Sequence, residues 1–269
     1  MNKTASAALT DAHVKQIERA EPTLQDFVLG ARMQRVQEDT EQQAWTKRDG
    51  LKVHRFEEFH AGTDASNILN GWLKRTLTAA AGSPTLEFAD DVANGCFRLK
   101  NDAQDESQIL RVDQGDNLSW QGKGLIFECG LIWNPAGAAG DADTSFVAGI
   151  AGAHNATLDS VAKNVWFKVT ADNLNLLCES DDGTTDTDDK DTGVDVTKGT
   201  LIQLRIELDS SGQNATFSVN TGGGFIAQAH HALGAGTATD AYQPYVRMSK
   251  DSTAVEELLV DYVSMHSDR

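Results

Sequence analysis

Cysteine is scarce in this 269-residue chain and offers no pairing: Cys96, Cys129 and Cys178 are odd in number and show no CxxC spacing. That excludes a disulfide framework or a cysteine-based zinc site as the organising device. Each cysteine falls on the apolar side of a strand-like pattern, which predicts buried, reduced thiols. No stretch approaches the ~18 consecutive apolar residues that a membrane span requires. The opening MNKTASAALTDAHVKQIERAEP has no apolar segment ahead of its charges, so neither anchoring nor signal-peptide export is expected. The sequons at Asn155 and Asn214 are then uninformative, because glycosylation needs a secretory route. Basic residues are in deficit, 23 Lys and Arg against 40 Asp and Glu for a net charge of −17, and this argues against nucleic acid as a partner.

Catalytic signatures are missing as well. There is no G-x-S-x-G elbow, no H-E-x-x-H and no phosphate-cradling glycine loop. A sandwich glycosidase needs two carboxylates across a sugar site, commonly alternating on one strand as E-x-D-x-E. No such triplet occurs, and Glu57-Glu58 and Glu256-Glu257 are adjacent pairs, whose side chains would point to opposite faces of a strand. His54 and His60 lie six apart, which is no metal-ligand spacing, and His230-His231 lack Cys, Asp or Glu at ligand distance. The expectation is a non-enzymatic protein with no cofactor, no catalytic residue and no metal centre.

What is present divides in two. Residues 1–76 carry eleven basic and eleven acidic residues, whereas 77–269 carry twelve basic and 29 acidic, so the whole net charge belongs to the second segment. In the first, Thr10 is placed to cap a short helix, with Leu9 and Val14 as its hydrophobic staple, ending near Pro22. A second helix starts at Thr23, and Leu24, Phe27, Val28 and Ala31 make a narrow apolar stripe. Such a stripe suits docking on another protein, or packing as a hairpin on the chain's own core. Lys52–Ala81 shows no clean period and reads as a connector with one helix over Ser66–Thr76.

After residue 84 the period becomes 2. GLIFECGLIW sends Leu125, Phe127, Cys129, Leu131 and Trp133 one way, and TLIQLRIELD does the same with Ile202, Leu204, Ile206 and Leu208. NATFSVN continues the pattern beyond a DSSGQ turn. Nine further strands are read at Thr85–Phe88, Phe97–Lys100, Ile109–Asp113, Phe146–Ile150, Val165–Val169, Leu174–Glu179, Phe225–Ala229, Tyr242–Met248 and Leu258–Met265. About twelve strands without long helices between them predict a mainly β fold: a two-sheet antiparallel jelly-roll sandwich with an α-helical N-terminal arm. The domains are then 1–76, arm and connector, and 77–269, sandwich.

The run ESDDGTTDTDDKDTGV sets seven carboxylates against one lysine in sixteen residues. The only glycine inside its acidic cluster, Gly183, is in the wrong register for an EF-hand, so the run is expected to be a solvated hairpin loop that discourages aggregation rather than a calcium site.

The segment DTGVDVTKGTLIQLRIELDSSGQNATFSVNTGGGFIAQ, followed by YQPYVRMSKDSTAVEELLVDYVSM, resembles the C-terminal half of concanavalin A-like (laminin G-like) jelly rolls frequent among structural proteins of tailed bacteriophages. The likeness covers about Asp191 to Met265 and is weaker back to Gly124. The paired Asp/Asn loop that holds the metals of sugar-binding members is not found. The resemblance implies a virion component, a capsid decoration or cement protein. In that reading Leu24, Phe27, Val28 and Ala31 dock on the major capsid protein, the chain forms a homo-oligomer, a trimer, and it sits on the capsid exterior after assembly in the host cytoplasm. The alternative implied is a glycan-binding adhesion module of a tail fibre or similar surface protein.

Overall fold

A computed structural model describes residues 81–89, 96–118, 120–134, 144–170 and 173–268, together with the backbone of 52–58 and 73–76. The expected helical arm, including Leu24, Phe27, Val28 and Ala31, lies outside these residues, as does His60.

The regular structure of the described residues is almost entirely strand. In order these are β1 (Lys52–Glu58), β2 (Leu73–Thr76), β3 (Thr85–Phe88), β4 (Phe97–Lys100), β5 (Glu106–Asp113), β6 (Trp120–Gln121), β7 (Ile126–Asn134), β8 (Ser145–Ala151), β9 (Asn164–Val169), β10 (Asn175–Asp181), β11 (Asp186–Asp195), β12 (Leu201–Leu208), β13 (Asn214–Asn220), β14 (Ile226–Ala232), β15 (Ala241–Ser252) and β16 (Glu257–Asp268). They form two eight-stranded sheets. The first runs β14-β13-β12-β7-β16-β4-β3 with β1 also on β16; the second runs β11-β10-β9-β8-β15-β5-β2 with β6 also on β15. The ladders among β2 to β16 are antiparallel, as in Leu204↔Cys129 of β12 and β7 or Met248↔Phe146 of β15 and β8.

Alternation produces this architecture directly. The strand LIQLRIEL buries Ile202, Leu204, Ile206 and Leu208 and leaves Gln203, Arg205 and Glu207 half-buried outside. The inward residues of both sheets interleave in one core that includes Phe97, Phe127, Cys129, Trp133, Phe146, Phe167, Cys178 and Phe217. Trp133–Phe146 and Phe167–Phe217 meet edge to face across the sheets, with centroids 5.3 Å apart in each pair. All three thiols are free and buried, Cys96 in a smaller cluster with Ala89 and Leu259.

Three expectations need correction. The helix read over Ser66–Thr76 is strand at its C-terminal end, because Leu73–Thr76 pairs with Asp113–Leu110 of β5. The stretch Lys52–Glu58, expected to be part of the connector, is a strand on β16. Both runs are too short and too charged for their period to show, and the ladder they complete is remote in sequence.

The third correction concerns the acidic run. It is not a loop: Glu179–Asp181 ends β10, only 182–185 turn, and Asp186–Asp195 forms β11, the edge of the second sheet. A bulge places Asp188 and Asp189 opposite Glu179, and Asp189 takes a left-handed φ of 44°. Most of the carboxylates have local work. Asp181 and Asp191 accept from the N–H groups of Gly183 and Gly193, both at 2.7 Å. Asp182 accepts from Thr184 and Thr185 at 2.9 and 2.8 Å and from Gly234 beyond β14. Like charge and a bulge on an exposed edge are devices that oppose strand addition.

Candidate functional site

The first sheet's outer face carries ordinary surface chemistry such as the Arg205–Glu128 ion pair at 2.8 Å. The outer face of the second sheet is different: its central positions are large, polar or aromatic, and buried. Register aligns them in rows. One row runs Arg75, Arg111, Arg247, Val147, Lys168; the next runs Leu73, Asp113, Tyr245, Gly149, Trp166, Glu179; a third runs Gln243, Ala151, Asn164, Asp181. Trp166, Tyr245, Asp113 and Gln243 have no exposed surface, and Arg247 has 4%.

The segment 152–163, which joins β8 to β9 through a 3-10 turn at Leu158–Ser160, covers this face. Leu158 and Val161 pack on Val147, Ala151, Trp166 and Tyr245. His154 stacks on Tyr245 and Tyr245 on Trp166, with centroids 6.0 Å apart in both pairs, and His154 Nδ1 lies 2.6 Å from the Tyr245 hydroxyl. Arg247 donates to the carbonyls of Asn155 and Ala156 at 2.8 and 2.7 Å. Gln243 donates to Gly152 O and to Asp116 Oδ1, both at 2.9 Å, and accepts from the N–H groups of Gln114 and Asp116 at 3.1 Å. Arg111 pairs with Asp113 at 2.7 Å. Burial pushes the Tyr245 hydroxyl above the usual tyrosine range and pulls Arg247 below the usual arginine value. Tyr245, Trp166, Gln243 and Arg247 of this face are thus engaged by the chain's own segment 152–163.

Arg247 is the fastening. Arg247→Leu is expected to keep the sandwich folded but release segment 152–163, raising its rate of limited proteolysis about tenfold, because two carbonyls lose a charged donor. Unchanged cleavage within 152–163 would show that Leu158 and Val161 alone hold the cover.

Beside the cover a depression of about 360 Å³ remains open, lined by Asp159, Asn164, Lys168, Glu179, Asp181, Asp186, Asp188 and Asp189. Lys168 reaches Glu179 at 3.1 Å and the bulged Asp189 at 2.8 Å. Burial pushes the Glu179 carboxyl up, against the pull of Lys168. Burial opposes the Lys168 ammonium, but Asp189 and Glu179 outweigh it and hold its pKa above the usual lysine range. Asp186 is raised by burial and by the carboxylates of Asp188 and Asp181. Among the described residues no group of three or more His, Cys, Asp or Glu is arranged to hold a metal ion.

Among the described residues, those singled out in the sequence do not converge here. His230 is exposed beside Thr216, His231 is buried between the sheets, and Glu257 faces Arg98 at 2.9 Å while Glu256 is buried. The covered layer of Asp113, Trp166, Tyr245 and Arg247 escaped sequence reading. Its one signal is that SFVAGIA and NVWFKV fail to alternate, as strands buried on both faces do.

No family model matches the chain, and no curated protein sequence matches it. Solved structures do. Peanut lectin aligns with a TM-score of 0.52 at 11% identity, over 81% of this chain and 98% of the lectin. An endo-1,3-beta-glucanase from Streptomyces sioyaensis aligns at 0.51 and 12%, over 80% and 96%. The exoplasmic/lumenal domain of VIP36, in a Ca2+/Man2-bound form, aligns at 0.50 and 9%, over 78% and 86%. The chain therefore has the concanavalin A-like, legume-lectin type of jelly-roll fold. Relatives of that fold include binding proteins and a hydrolase, so the fold alone assigns no activity.

Proposed function

We propose that the chain is a non-enzymatic structural protein of a virion, a capsid decoration or cement protein whose N-terminal segment docks on the major capsid protein as a trimer. The observation that carries this reading is the covered outer face of the second sheet. Asp113, Trp166, Tyr245, Gln243 and Arg247 are spent on internal contacts, so this part of the face is closed by the chain itself. Of the carboxylates a glycosidase could use, Glu179 is tied to Lys168 and Glu256 is buried. The order of strand motifs between Asp191 and Met265 and the neutral charge of residues 1–76 against −17 for the remainder support the placement on a shell. A strongly acidic body suits the exterior, and a neutral segment suits the contact.

The test is co-sedimentation with undecorated capsids. Full-length protein is expected to bind, and Phe27→Asp with Val28→Asp to weaken binding at least tenfold. Burying the Leu24, Phe27 and Val28 side chains contributes on the order of 5 kcal/mol before ordering costs, and a trimer multiplies it. Unimpaired binding by the double variant would sink the docking role. Binding to a glycan array without binding to capsids would favour the adhesion module, a reading that the lectin type of fold keeps in view. Hydrolysis of β-glucan lost on a single Asp or Glu substitution would favour an enzyme.

A further inference from the structure

At one end of the core the inward alternation continues but the residues turn polar. Leu99 is followed two positions on by Asn101, Met248 by Lys250 and Leu258 is preceded by Glu256, while Gln108 and Thr144 precede Leu110 and Phe146 in the same way. All five are buried: Asn101 and Glu256 are 1% exposed, Lys250 2%, Gln108 and Thr144 not at all. Backbone contacts bring three of them together. The N–H of Asn101 donates to the carbonyl of Glu256 at 3.0 Å. Lys250 Nζ donates to the carbonyl of Asp102, the residue next to Asn101, and to that of Gln104 at 2.9 Å.

Asn101 is the anomaly in this cluster. Neither its Oδ1 nor its Nδ2 has a hydrogen-bond partner. A buried primary amide with both ends unmet is costly and calls for an explanation, and the Lys250 amine is held on the carbonyl of the next residue, Asp102. Joining the two removes the unmet amide and the buried charge together, since one secondary amide replaces a primary amide and an ammonium.

We propose that Lys250 and Asn101 form an intramolecular isopeptide bond, with Glu256 as the acid–base group that promotes it. A proton passes from the Lys250 ammonium to the Glu256 carboxylate. The neutral Nζ attacks Asn101 Cγ, forming the Nζ–Cγ bond, and protonated Glu256 polarises Oδ1. The intermediate collapses with cleavage of Cγ–Nδ2. Nδ2 leaves as ammonia, its third hydrogen coming from Nζ through Glu256. Amine plus primary amide gives secondary amide plus ammonia, with no oxidant or cofactor. The bond staples β15 of one sheet to the end of β4 in the other. Asp102 is the competing electrophile, with Oδ1 3.9 Å from Nζ. Its carboxyl is held below the usual range by the N–H groups of Gln104 and Ser83, so it stays ionised and resists attack.

Intact-mass and tandem mass spectrometry of the full-length protein decide the matter. The expected result is a mass about 17 Da below that of the sequence and a cross-linked peptide joining Lys250 to Asn101. Succinimides at Asn70-Gly71 or Asn94-Gly95 would give the same mass loss, so the cross-linked peptide is the criterion. Lys250→Met and Asn101→Ala should restore the full mass, and Glu256→Gln should slow closure at least a hundredfold. Full sequence mass in the folded wild-type protein overturns the proposal whatever the variants do. A mass loss that persists in Lys250→Met without a cross-link also overturns it, as does a link to Asp102 with loss of water.

Discussion

Gly149→Ala is expected to destabilise the sandwich by about 4 kcal/mol, or to prevent folding, although it adds one methyl group to the middle of a strand. Gly149 sits opposite Trp166 of β9 and Tyr245 of β15. With no side chain between them, the indole and phenol rings close over the glycine and stack 6.0 Å apart. A Cβ at this position would lie 2.3 Å from the carbonyl oxygen of Val165 and 2.6 Å from Cα of Trp166. Those are backbone atoms of the neighbouring ladder, so relief requires β8 and β9 to separate. Such overpacking costs 1–3 kcal/mol where side chains can give, and more where the obstacle is a strand. The control is Gly152→Ala, whose Cβ would meet Lys163 at 3.5 and 3.6 Å, an ordinary contact. Urea unfolding followed by tryptophan fluorescence should separate the two variants clearly. Equal midpoints would mean that β8 and β9 adjust more freely than their ladder implies.

The same glycine shows where sequence reading stops. Strands with one wet face were legible, because their alternation records burial directly: LIQLRIEL and IFECGLIWN occupy the positions their patterns demand. β11 was not, because an edge strand flanked by a carboxylate-lined depression has only Thr192 buried in its ten residues, and charge density imitates a loop. The short β2 is a strand by virtue of its partner, β5, and its own four residues hold no period. The covered layer was invisible for a different reason. Arg111 and Asp113, Gly149, Trp166, and Tyr245 with Arg247 come from four strands that the topology makes neighbours, and their cover is a segment whose local composition reads as a turn. No short window of sequence contains such a relation. The orphaned amide of Asn101 is legible only in three dimensions, since an asparagine after a strand reads as turn chemistry.

Lowering the pH from 7 to 4.5 is expected to remove roughly 2–3 kcal/mol of stability through a single side chain, His231. This residue belongs to β14 at the edge of the first sheet but reaches the second. Its Nδ1 lies 2.8 Å from Ser180 Oγ and its Nε2 3.5 Å from Cys178 Sγ, both on β10, and its ring packs on Phe217 at 4.7 Å. With 3% of its surface exposed, it closes the side of the sandwich where β14 and β11 run near one another. Burial, and then the nearby Lys190 ammonium, lower its pKa from 6.5 to about 4. A histidine depressed in the folded state takes up its proton only on unfolding at intermediate pH. Its contribution is therefore fully present above pH ~6.5 and is lost progressively as pH falls toward ~4, at ~1.4 kcal/mol per unit of displacement. Glu179 works in the opposite sense, since a carboxyl raised by burial takes up its proton in the folded state first and gains stability on acidification. The informative quantity is consequently the difference between wild type and His231→Gln, which keeps a polar reach toward Ser180 and cannot titrate. Urea unfolding at pH 7 should find the variant less stable by about 1–2 kcal/mol, the loss of a packed ring and its hydrogen bonds. At pH 4.5 that order should vanish or reverse. Parallel loss of stability in both proteins across this range would mean that His231 does not bear the acid sensitivity, and the carboxylate network around Lys168 and Asp182 would then have to carry it.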